Sequence, residues 1–223
     1  MMDSSMEEPF QLKDFDFTKH LEDNFSGRSK EGLLVDLSVG SIVYQLYLAS
    51  KYFKEIIVLK VKDRDVTEMK TLVDTGKLHV QEEGNSDHFY NKDEKWKSSI
   101  QSVLKCDLEK ENMTEPITLP PADAVISAGL LDVISKEEKN YIRYLRKFSR
   151  LLKPGGHLLL FGALNSTRMK VGEEKLNVLK YNEDFVRKAL TGEGFIIENQ
   201  LKTFETPLTY SESMLFIAAH KQK

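Results

Sequence analysis

The sequence predicts an α/β fold: a doubly wound, mostly parallel sheet with an antiparallel edge strand and helices over both faces. Three observations predict it. From residue 32 onward, short apolar runs alternate with stretches of helical periodicity. The run "HLLLFGAL" is apolar almost throughout, as a strand buried on both faces must be. The last two strand-like runs, "FIIENQL" and "MLFIAAH", have no helix between them, which predicts antiparallel pairing at the sheet edge.

In order, residues 1–31 form a polar N-terminal arm with a short helix over 18–24, for which Thr18 is a candidate N-cap. Residues 32–37 are an apolar strand and 41–50 a helix. "EIIVLK" is the second strand, followed by a helix over 64–73 with Val66, Met69 and Leu72 on one face. Residues 74–100 are highly polar and predict an irregular excursion that resumes as a helix over 94–101. A short strand ends at Asp107, and another spans 123–127. Tyr141, Leu145, Phe148 and Leu152 recur at spacings of three and four, predicting a helix over 136–152 that "KPGG" terminates. "HLLLFGAL", a helix over 183–190 capped by Asn182, and the two final strands complete one domain over 32–223.

Composition narrows the function. The chain has 223 residues, 40% hydrophobic and 30% charged, in the ordinary range for a soluble globular domain. With 32 basic against 35 acidic residues, the net charge of −3 gives no reason to expect a nucleic-acid or anionic-membrane surface. No apolar run approaches the roughly 18 residues of a membrane span, and the acidic N-terminus is neither a signal nor a transit peptide. The single cysteine, Cys106, permits no internal disulfide and fits a reducing compartment, so a cytoplasmic protein is expected. The histidines His20, His79, His88, His157 and His220 lack metal-ligand spacing, and no metal site is indicated.

In an open α/β sheet, ligands sit beyond the carboxyl ends of the strands, beside the first one. "LLVDLSVGSIVYQL" lies there. It has the outline of a nucleotide-binding strand, loop and helix, but with Ser38, Val39 and Gly40 where such loops usually carry two or three glycines. No G-x-G-x-x-G follows the first strand and no acid ends the second, which disfavours a nicotinamide-dinucleotide enzyme.

"VLKCDL", "LPPADAVIS", "LLKPGGHLLLFGAL" and "GEEKL" occur in an order and spacing that resemble the small-molecule amine N-methyltransferases: the nicotinamide, phenylethanolamine and indolethylamine group. The nicotinamide branch is the most similar. "VDLSVGSIVYQL" and "FKEIIVLKVKDRDVTEM" fall where that family keeps its first two cofactor motifs, and "FTKHLEDNF" resembles its N-terminal lid. The resemblance implies a class I, Rossmann-like methyltransferase with S-adenosylmethionine (SAM) as donor and S-adenosylhomocysteine as product. The acceptor it implies is the nitrogen of a small amine or pyridine. A sulfonium donor is already activated, so the protein mainly positions and shields, and no catalytic triad is expected.

The resemblance assigns cofactor contacts to Asp36 and Gly40 in the loop and to Tyr44, which helps hold the SAM carboxylate. Asp65, which falls where the family has an asparagine, or Asp63 would contact the ribose, Asp107 and Leu108 the adenine, and Ala128 would lie along the cofactor. The chain departs from the family in several places. Ser38 stands where the family has its first glycine. Lys60 replaces an acid that accepts both ribose hydroxyls, and an ammonium cannot accept. Gly162 replaces an aspartate that orients the acceptor, and Val178 a serine that binds the substrate amide. His20 and Phe25 replace two lid tyrosines, and the connection from lid to first strand is shorter. Asp132 reads as a loop cap, and Cys106 as a small buried hydrophobe. These departures leave a second reading open, a methyltransferase-like pseudoenzyme or interaction module.

Overall fold

The computed structural model describes residues 16–27, 32–40, 43–75, 94–171, 174–198, 202–204 and 213–223. Helix α1 (Asp16–Phe25) leads into β1 (Leu33–Asp36), α2 (Tyr44–Ala49), β2 (Glu55–Lys60) and α3 (Asp63–Thr75). A 3₁₀ turn (Glu94–Ser99) precedes β3 (Ile100–Lys105) and β4 (Ala122–Ala128). Then come α4 (Leu130–Ile134), α5 (Glu138–Ser149), β5 (Leu152–Leu164), and the hairpin β6 (Arg168–Val171) with β7 (Glu174–Asn177). Helix α6 (Glu183–Gly192) and strands β8 (Phe195–Ile197), β9 (Lys202–Phe204) and β10 (Ser213–Lys221) close the order.

The main sheet runs β3-β2-β1-β4-β5-β10-β8, with β9 also paired to β10. Strands β1 to β5 pair in parallel, and β10 is antiparallel to both β5 and β8. The doubly wound fold is as expected, and the final strands pair antiparallel at one edge of the sheet, with β8 outermost and β10 just inside it. The sequence of β10 requires this place, because Leu215, Ile217 and Ala219 pack on one face and Phe216 and Ala218 on the other. A strand apolar on both faces is stable only where both faces are covered.

Period-two alternation divides the core into two layers. Leu33, Val35 and Leu37 face α4, α5 and α6, where Tyr141, Leu145, Phe148, Val186 and Leu190 complete one cluster. Leu34, Val58 and Phe161 face α1, α2 and α3, with Leu21, Phe25, Leu46, Met69 and Leu72. Burying each such side chain contributes about 1.5–3 kcal/mol.

The helix boundaries are chemical. Glu137 and Asn140 form a reciprocal capping box at the start of α5. The Asn182 side chain accepts from the Phe185 amide at 3.0 Å, capping α6 as expected. Helix α1 begins at Asp16, so Thr18 lies within it and not at its cap. Helix α5 is shorter than its periodicity predicts, because Leu152 already pairs with Ala122 of β4. "KPGG" is therefore an irregularity within β5, made possible by Gly155 at φ +78°. Ile100 and Gln101 belong to β3, not to a preceding helix. The polar excursion over 76–93, and residues 199–201 of the run "FIIENQL", lie outside the described residues.

Candidate functional site

The loop after β1 is a continuation of the β1–β4 ladder. Leu37 N–H donates to the Ile126 carbonyl at 2.8 Å and Val39 N–H to the Ala128 carbonyl at 3.0 Å. Ser38 is the hub. Its hydroxyl donates to Asp36 Oδ1 at 2.6 Å and accepts from the Ala128 amide at 3.1 Å. A glycine could make neither bond, so the serine replaces backbone freedom with side-chain anchoring. The turn itself falls on Gly40, whose φ of +65° suits glycine.

Lys60 is not part of a solvated turn. It is 1% exposed, and its ammonium donates to the carbonyls of Ser38 at 2.9 Å and Gly40 at 2.6 Å. It staples the loop from beneath. Burial pushes the lysine pKa down, opposed by the charges of Asp36 and Asp65. Burial pushes the Asp36 carboxyl up, opposed by Lys60 and by the side chains of Ser38 and Gln45. Asp36 is fully buried, and although the Gln45 side chain lies beside it, its Oδ2 completes no hydrogen bond of good geometry among the described residues.

The other assigned residues ring this loop. Asp65 is 9% exposed in the first turn of α3. Tyr44 opens α2, but its side chain lies outside what the structure describes. Asp107 is exposed beyond β3, with Oδ1 accepting from the Glu109 amide at 3.0 Å. Its neighbour Leu108 is buried, and the Leu108 carbonyl accepts from Lys147. Ala128 ends β4 with both main-chain groups committed to the loop. Cys106 is buried as expected, and burial pushes its thiol up to about 11.

Three features escaped the sequence reading. Asp132 is no loop cap. It is fully buried in α4, where Oδ2 accepts from the Ala163 amide at 2.7 Å and Oδ1 from the Tyr181 hydroxyl at 2.7 Å. Burial raises its carboxyl to about 7, against those two hydrogen bonds. This pair also explains Gly162: a Cβ there would collide with the Tyr181 hydroxyl and stand 3.1 Å from Asp132 Oδ2. The space vacated on β5 is filled by a carboxylate and phenol from α4 and the segment before α6.

The second feature is the β6–β7 hairpin, which folds over the loop. Val171 reaches within 2.9 Å of where a Gly40 Cβ would stand, and Met169 lies over Gly129 beside Val39. Exposed Arg64 and Glu174 pair at its rim.

The third is the position of α1. Phe25 packs on Phe53 with ring centroids 4.8 Å apart, and His20 on His157 at 5.4 Å. His157 is level with Ala124 and, through it, with Leu34, so α1 covers the amino ends of the strands. The lid-like motif is therefore far from the loop, and the short connection to β1 gives the physical reason.

A parallel sheet with an acid-ended first strand, a loop bonded across to β4 and an antiparallel β10 inside the sheet defines the class I SAM-dependent methyltransferase fold. Solved structures of that class superpose on it: a SAM-dependent methyltransferase from Methanosarcina mazei at TM-score 0.63 and 16% identity, covering 91% of this chain and 97% of that one. The N-methyltransferase NodS from Bradyrhizobium japonicum matches at TM-score 0.60 and 13% identity, covering 96% and 98%. The chain belongs to the NNMT/PNMT/TEMT family, which its residues 15–222 match. It is 34% identical over 179 residues to nicotinamide N-methyltransferase of Homo sapiens, covering 76% of this chain and 68% of that protein. It is 31% identical over 205 residues to indolethylamine N-methyltransferase of Oryctolagus cuniculus, covering 85% and 77%. Among the described residues, no helix is long and apolar enough to cross a membrane.

Proposed function

We propose that this protein is a cytoplasmic enzyme that transfers the methyl group of SAM to the nitrogen of a small amine or nicotinamide-like pyridine. The observation that carries this reading is Asp36, a buried carboxylate at the end of β1 whose Oδ2 completes no hydrogen bond of good geometry among the described residues, in a chain of this family. A buried acceptor without a donor is costly unless a ligand supplies one, and a bound SAM offers an ammonium and two ribose hydroxyls. The residues therefore fit the cofactor. When bound, SAM supplies an activated methyl group on a sulfonium, so transfer needs alignment and exclusion of water.

The residues divide that work. Asp36 and the Gly40 turn hold the amino-acid end. Asp107, exposed at the rim of β3, accepts from the adenine. Asp65 takes the ribose role that Lys60 cannot fill, and Lys60 keeps the loop in shape. Met169 and Val171 of the hairpin shield the loop from water. On the acceptor side stands Asp132, which at about 7 can hold or release a proton near neutral pH. The reading of a module without catalysis gains no support, since the relatives are N-methyltransferases by name.

Calorimetric titration of the full chain with SAM and S-adenosylhomocysteine, followed by transfer of labelled methyl to nicotinamide and to tryptamine, tests the reading. Micromolar cofactor binding and a methylated pyridine or amine are expected. A folded sample that binds neither ligand at millimolar concentration would sink it. Asp107→Ala, at an exposed position, should weaken SAM about tenfold or more while leaving Tm unchanged, since a hydrogen bond to a charged group contributes about 1.5–3 kcal/mol.

A further inference from the structure

At the amino ends of the parallel strands the fold gathers three histidines around one glutamate. His20 comes from α1, His157 from β5 and His220 from β10, and Glu198 follows β8. His157 and His220 stand opposite each other in the β5–β10 ladder, and the His20 ring lies 5.4 Å from that of His157. All three rings turn Nδ1 toward the same carboxylate, at 3.7 Å for His20, 3.5 Å for His157 and 2.6 Å for His220. Ligand atoms of His20, His157 and Glu198 all lie within 4.8 Å of one another.

Side-chain exposure rises across the group, from 1% at His20 through 12% at His157 and 20% at Glu198 to 33% at His220. The cluster thus has a buried floor and an opening to water, which gives an ion a way in. Imidazole nitrogens and carboxylate oxygens both carry lone pairs that a divalent ion accepts. Binding one here exchanges the 3.3 Å contact between the Asn24 side-chain amide and His20 Nδ1 for a metal bond. Imidazole and carboxylate without thiolate is a donor set suited to zinc and its neighbours. Bonds of about 2.0–2.1 Å in a tetrahedron place neighbouring ligands roughly 3.3 Å apart, so His20, His157 and Glu198 need to close by up to about 1.5 Å and His220 to draw back slightly from Glu198. Asp23, on α1, adds negative field near His20.

We propose that His20, His157 and Glu198, with His220 as the outermost ligand, bind one divalent transition-metal ion of the Zn²⁺ class. The site lies at the other end of the sheet from the Asp36 loop, so its role is structural: it clips α1 to β5 and β10.

The test uses the full chain, stripped with chelator and titrated with zinc sulfate and with Co²⁺. One equivalent should bind. Zinc at a hundredfold excess over Kd should raise Tm by about 5–10 °C, and cobalt should give the intense visible absorption of a four-coordinate site. His157→Ala and Glu198→Gln should each weaken binding at least tenfold, and half-exposed His220→Ala should weaken it less while leaving the apo Tm near wild type. Absence of a cobalt band in the wild-type protein overturns the proposal whether or not the variants fold, as does the weak absorption of a six-coordinate ion. A zinc response unchanged in Glu198→Gln would place the ion elsewhere and overturn it too.

Discussion

Asp36 and Asp132 are both fully buried carboxyls, and they stand within a few residues of the carboxyl ends of neighbouring strands, β1 and β4. Their surroundings differ in one respect. Asp36 has a buried ammonium beside it and a serine hydroxyl on one oxygen. Asp132 has no cation to oppose its burial and relies on one amide and one phenol. Burial raises both, but at Asp36 the Lys60 charge works against it, whereas Asp132 is carried to about 7. A protein can retain a buried carboxyl by pairing its charge or by letting it take a proton. Here the cation stands beside Asp36 alone, so two neighbouring strand ends hold their buried carboxyls in different ways.

The comparison breaks most visibly at Lys60. Lys60→Met leaves Asp36 as an unpaired buried charge and frees two loop carbonyls, so it should destabilise the fold by about 3–5 kcal/mol. Adding Asp36→Asn should recover a large part of that loss in denaturant titrations, and no recovery would mean that packing, not charge, dominates. Next is the pH dependence of Asp132. Its folded pKa lies above the ordinary carboxylate value, so the folded state binds the extra proton between about 4 and about 7. Its contribution is present at low pH and lost as pH rises through that window, on the order of a few kcal/mol. Asp132→Asn should flatten this slope, and a slope identical to wild type would assign it to other groups.

Two smaller effects sharpen the contrast. Ser38→Ala removes a donor to Asp36 and strands the Ala128 amide, for a loss of about 1.5–3 kcal/mol. Gly162→Ala should cost about 1–3 kcal/mol through overpacking against Tyr181. The penalty should shrink in a Tyr181→Phe background, where the hydroxyl in its way is gone. Equal penalties in both backgrounds would show that β5, not the phenol, excludes the methyl group.

What the sequence disclosed follows from the range of the interactions involved. Strands such as Glu55–Lys60 were legible because burial on both faces writes an uninterrupted apolar run, and Asn182 because a cap acts on the amide three residues ahead. Helix α4 was hidden, since five residues are too few to show a period. The β6–β7 hairpin was hidden because its outward positions, Arg168 and Lys175 among them, are charged and, among its described residues, only Met169 is fully buried. Asp36 ends β1 as its apolar run predicts, whereas β3 stops at Lys105 and leaves Asp107 two residues beyond the strand it was expected to end. The Lys60 contacts span about twenty residues and the Asp132–Tyr181 bond spans 49, so neither leaves a local signature. A lysine closing an otherwise buried strand was the one visible hint that an internal partner waited for it.

Cys106 has a practical consequence for whoever next handles this protein. Its thiol, buried and raised to about 11, is almost wholly protonated at neutral pH, with roughly one molecule in ten thousand carrying the nucleophilic thiolate. Alkylating dyes and spin labels should pass it over in the native state. A cysteine introduced into the exposed rim of the β6–β7 hairpin, or into α1, would then be the sole reporter on the molecule. The motion of either element could be followed without first removing a native residue.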